Sequence, residues 1–122
     1  MSLRNLKLLE QLKKVDNLEI IERNSDIKRL SKDFYNYSPI LEERLDGCIA
    51  DYVVRPIDQS AVKKVAEICW EFNIPLTIRG SGTGNYGQAV PLFKGIVMQM
   101  NCLNKLEEFY QDTSFVKVQS GC

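Results

Sequence analysis

Four of the chain's seven glycines fall between Gly80 and Gly87, inside the string RGSGTGNYGQAVP that runs from Arg79 to Pro91. Glycines at this density let the backbone adopt positive φ and strip away side chains, so that successive N–H groups can converge on an anion. Gly82, Gly84 and Gly87 also satisfy G-x-G-x-x-G, the spacing of a dinucleotide-binding turn. That turn needs a helix to begin at the loop, because the helix N-terminus receives the pyrophosphate. Here Pro91, Gly95 and an apolar run follow at once and leave no room for a helix. Glu107 and Glu108 stand about 20 residues onward, the distance of a ribose-binding acid, but they do not close a strand after a crossover helix. A Walker A loop fails as well, since no Gly-Lys-Ser/Thr ends the string. Two readings remain: a phosphate-binding nest without a helix, or a tight connecting loop.

Other chemistries are poorly provided for. With no histidine among 122 residues, imidazole triads, relays and metal sites are absent from the chain. Cys48, Cys69, Cys102 and Cys122 include no C-x-x-C pair, so neither a zinc site nor a disulfide scaffold is expected. Cys69 falls in an apolar helical pattern and reads as a small core residue. Sixteen basic and sixteen acidic residues are interspersed rather than striped, which argues against a nucleic-acid surface. No apolar stretch approaches the roughly 20 residues of a membrane span. Residues 2–15 lack a signal-peptide cleavage pattern, so a soluble cytoplasmic protein is the expectation.

The elements that would position the glycine loop can be read from periodicity. Leu3 to Leu12 has helical leucine spacing. Ser25 resembles an N-cap opening a second helix with Ile27, Leu30 and Phe34 on one face. Regularity is expected to break at Pro39. DYVVRP is a strand closed by Pro56; Asp58 caps a helix over Gln59–Phe72; Ile74–Arg79 forms the next strand. Strand, helix and strand make a βαβ unit with parallel strands and a right-handed crossover. Gly95–Met100 is a buried strand, residues 101–112 a polar stretch, and residues 114–122 a last strand running into the C-terminus. The fold expected is α+β (α/β): a small parallel βαβ subdomain behind N-terminal helices, then the first strands of a second, incomplete subdomain.

The match of RGSGTGNYGQAVP to R-G-x-G-T-G-x-x-G-x-x-x-P, together with DFYNYSP, VVRP, EICWEFNIPLTIRG and VKVQSG in that order, resembles the vanillyl-alcohol-oxidase-like (PCMH-type) flavoproteins. Within that group the likeness is to glycolate oxidase and D-lactate dehydrogenase-like FAD-linked oxidoreductases. The resemblance implies residues 1–50 as a helical lead-in and residues 51–122 as the first part of an FAD-binding domain, with its remainder and the substrate domain outside this chain. It implies that the amides of Gly80, Ser81, Gly82, Thr83 and Gly84 grip the FAD pyrophosphate, with Asn85 and Gly87 completing the turn and the Thr83 hydroxyl as a further donor. Pro56 and Gly121 resemble positions beside the cofactor, and Arg79 either joins them or stabilises the loop. Some relatives attach flavin through a histidine where Thr83 stands, so non-covalent FAD is expected here. No catalytic residue can be named within the chain, and the small-molecule substrate would be met by the full-length parent. Tyr35, Tyr37 and Tyr86 are candidate cofactor neighbours or packing residues. An alternative is a non-catalytic module that self-associates through the edge left open by its last strand.

Overall fold

The computed structural model describes residues 2–122. Its order is α1 (Leu3–Lys13), β1 (Leu18–Ile21), α2 (Asn24–Leu30), a 3-10 turn (Tyr35–Tyr37), α3 (Pro39–Leu45), β2 (Tyr52–Pro56), α4 (Gln59–Glu71), β3 (Leu76–Arg79), β4 (Ile96–Gln99), β5 (Leu106–Tyr110) and β6 (Phe115–Val118). The expected α+β class holds, with a mostly parallel sheet. Among the described residues no helix is long and apolar enough to cross a membrane.

The first sheet runs β1-β2-β4-β3. β2 and β3 are parallel as expected, but each pairs with β4, which lies between them. β1 adds an antiparallel edge to β2. Alternation along the strands supplies two cores. Tyr52, Val54, Ile96 and Met98 face α1 and α4, meeting Leu8, Leu12, Val65 and Cys69. Val53 and Val97 face the other way, onto Ile27 and Leu30 of α2. Val53, Val54, Ile96 and Val97 are fully buried, and burial of such a side chain contributes roughly 1.5–3 kcal/mol. The sheet is therefore clamped between helices on both faces, and its parallel strands all end at one edge.

Local chemistry explains the boundaries. Asp58 accepts from the Ala61 amide at 2.8 Å and starts α4 as its sequence position suggested. Pro39, expected to break the chain, instead opens α3: Ser38 is the N-cap and proline occupies the first turn, where its missing N–H is not needed. α2 begins at Asn24 with Arg23 in the cap position, and Phe34 lies beyond its end. The final strand stops at Val118; Gln119 to Cys122 form a turn against Lys105 and Leu103.

Candidate functional site

The loop from Gly80 onward leaves the carboxyl end of β3. Pro56 ends β2 at the same edge of the sheet, because Val54, Met98 and Ile78 lie level across the three parallel strands. Gly121 joins them: its amide donates to Leu103 O at 2.9 Å, and a Cβ there would collide with Met100 O just past β4. The residues singled out in the sequence thus gather at the carboxyl edge of the parallel strands, the side on which open α/β sheets receive ligands. Gly121 earns its glycine from this backbone approach. The Pro56 side chain is fully buried.

The loop itself is held from beneath and leaves its amides unspent. Among the described residues, the N–H groups of Ser81, Gly82, Thr83, Gly84 and Asn85 donate to no protein acceptor. No helix follows, and residues 81 to 90 are loop and turn. Gly82 and Gly87 have φ of +68° and +82°, the left-handed region that favours glycine. Around Gly80 there is open space, whereas a Cβ on Gly82 would strike the Arg79 guanidinium, one on Gly84 the Gln88 amide oxygen, and one on Gly87 the Leu45 side chain. Gln88 Oε1 also accepts from the Tyr86 amide at 3.0 Å. A row of bare donors on a loop with glycine at alternate positions can meet an anion whose oxygens only accept.

The Arg79 side chain is anchored to the residues that precede β2. It is 8% exposed, donates from one terminal nitrogen to Lys32 O at 2.5 Å, and lies under Gly82. Burial pulls its guanidinium below the usual value, and Asp33 opposes that shift. Sequence reasoning missed how much the lead-in contributes. The Phe34 amide donates to Gly84 O at 2.9 Å, and Asp33 Oδ1 accepts from Tyr35 N at 2.9 Å. Lys32 in turn pairs with Asp46 at 3.0 Å, a hydrogen bond that raises the lysine above its ordinary range and lowers the carboxylate. Of the tyrosines, Tyr35 packs in the interior, while Tyr37 and Tyr86 are about three-quarters exposed.

Residues 50–122 match the model of the FAD binding domain. The chain belongs to that family. Its matched relatives are much longer: D-2-hydroxyglutarate dehydrogenase of Danio rerio is 27% identical over 73 residues, which are 60% of this chain and 14% of that protein. Glycolate oxidase subunit GlcD of Bacillus subtilis is 30% identical over 58% of this chain and 15% of its own length. D-lactate dehydrogenase of Archaeoglobus fulgidus is 38% identical over 45% of this chain and 12% of its own. The chain therefore spans about one-seventh of the curated relatives it matches. Among solved structures, p-cresol methylhydroxylase with bound substrate superposes over 99% of this chain and 23% of its own, with TM-score 0.77 and 15% identity. Alkyldihydroxyacetonephosphate synthase covers 95% of this chain and 24% of its own, with TM-score 0.75 and 16% identity. These structural likenesses extend through the lead-in, which the family model does not.

Proposed function

We propose that the loop from Gly80 to Gly87 holds the pyrophosphate of non-covalent FAD, in an oxidoreductase acting on a 2-hydroxy acid or related small alcohol. The observation that carries this reading is the run of unspent amides from Ser81 to Asn85 at the carboxyl edge of the parallel strands. Those amides, with the Thr83 hydroxyl, would hold the diphosphate. Gly87 and Asn85 close the turn, Arg79 supports it, and Pro56 and Gly121 line the neighbouring strand ends. FAD supplies a two-electron acceptor for the substrate's α-carbon; this chain's part is to bind and orient it. Thr83 cannot tether flavin as histidine does, and the chain has no histidine. The substrate class follows from the relatives' names, since 2-hydroxyglutarate, glycolate and lactate are all 2-hydroxy acids. A panel of 2-hydroxy acids, added anaerobically to the FAD-loaded full-length parent, should bleach the flavin absorbance near its visible maximum. Bleaching by simple primary alcohols alone would overturn the substrate class.

A second reading has its own support in the hairpin of β5 and β6. Cross-strand partners share a face, so Leu106, Phe109, Val116 and Val118 line one side of it, all at least 44% exposed. An isolated two-stranded ribbon is marginal in water. A non-catalytic module pairing with a second copy through this ribbon would cover that face.

A further inference from the structure

Residues 32–45 lie outside the stretch matched by the family model, yet they reach the glycine loop at several points. Lys32 O takes the Arg79 guanidinium, Phe34 N holds Gly84 O, and Leu45 occupies the space a Cβ on Gly87 would need. Two buried polar atoms in this cluster are left without partners: Arg79 Nε and Asp33 Oδ2. Asp33 Oδ2 stands 3.5 Å from where a Cβ on Gly84 would sit, and the Arg79 guanidinium fills the corresponding place under Gly82. A cation and a carboxylate therefore lie beneath adjacent glycines of one loop. They act on each other electrostatically, but no direct ion pair joins them among the described residues. Isolated buried charge is costly, and a structural peg could have been apolar.

We infer that Arg79 is a positioning residue for the loop's anion: a buried positive charge, fixed beneath Gly82 by the Lys32 carbonyl, that favours a diphosphate across the loop without touching it. Asp33 is the counterweight that moderates this charge. The inference rests on the FAD reading above. Arginine suits the role because its charge survives burial where a lysine's would not. The loop amides supply hydrogen bonds, and Arg79 supplies field; the lead-in fixes both.

The test is FAD and riboflavin binding to the full chain, measured by flavin fluorescence at low and high salt for wild type, Arg79→Met and Asp33→Asn. Methionine keeps the bulk of the peg and removes its charge. Arg79→Met should weaken FAD by about ten-fold, the effect of one charge acting across several ångströms of protein, and leave riboflavin, which lacks phosphate, unchanged. Asp33→Asn keeps an oxygen for the Tyr35 amide and removes the opposing charge, so FAD should bind tighter at low salt. A merely structural peg predicts otherwise: Arg79→Met would weaken both flavins alike, and Asp33→Asn would never tighten binding. Wild-type affinity for FAD in Arg79→Met, or equal losses for the two flavins, overturns the inference. If Arg79→Met fails to fold by circular dichroism, Asp33→Asn decides alone, and unchanged or weaker FAD binding overturns it. Failure of wild type to bind FAD would instead remove the reading on which the inference stands.

Discussion

Gly82 concentrates the demands that the site makes on single residues. Its φ is +68°, and the space its Cβ would take belongs to Arg79. Gly82→Ala should therefore strain the backbone and displace the guanidinium together, costing about 1–3 kcal/mol of stability and most of the FAD affinity. Thermal unfolding and flavin titration check the two effects, and a variant as stable as wild type would show that the loop tolerates a side chain. Its glycines were legible in sequence because glycine has few other reasons to cluster. The partners of those glycines were not, since nothing in RGSGTGNYG points to Asp33 or Leu45. Cys69 shows the opposite case, in which an apolar helical pattern placed the residue correctly. Burial pushes its thiol up to about 11 from 9.0. The folded state thus holds a proton that the unfolded chain has released, so the associated stability, up to about 2–3 kcal/mol, is present below pH 9 and lost as the pH rises toward 11. At pH 8 a thiol reagent should modify exposed Cys122 rapidly and reach Cys69 only on unfolding, as peptide mapping would show.

At the scale of elements, the buried strands and helices were legible, and so was β6 despite its exposure, whereas β1, α3 and β5 were not. β2, α4, β3 and β4 stood out because their apolar residues recur at the spacing of strand or helix. β5 reads LEEFY, exposed at every residue and carrying a register shift between Leu106 and Glu108, so its alternation is lost and it reads as a polar stretch. β1, LEII, holds no buried residue and no burial alternation that would mark it as a strand. The insertion of β4 between β2 and β3 is a long-range pairing that local pattern cannot encode. Asp58 illustrates an element whose end was legible. Its carboxylate accepts from Ala61 N and from Asn17 Nδ2, each at 2.8 Å, tying α4 to the turn before β1. Those bonds, the Ala61 amide first, hold Asp58 below the usual carboxylate range. Their stabilisation is present at neutral pH and lost as the pH falls through that lowered value. Asp58→Ala should melt several degrees below wild type at pH 7 and lose that difference in strong acid; equal melting at pH 7 would contradict the cap.

Over the whole molecule, a helix-clamped parallel sheet presents its carboxyl edge to a glycine loop, and an uncovered hairpin extends from the other side of the Gly121 contact. The apolar face of that hairpin should associate: light scattering would show the wild-type mass rising with concentration and Phe109→Glu holding it at the monomer. A wild type that stays monomeric at high concentration would remove the second reading. Family membership and fold do not depend on that outcome, and neither does the central claim, that unspent amides between Ser81 and Asn85 bind a diphosphate. Equilibrium dialysis of FAD against the chain, with riboflavin in parallel, tests it most directly. One FAD per chain, displaced by ADP-ribose and bound far more tightly than riboflavin, is the predicted result; FAD held no better than riboflavin would contradict it.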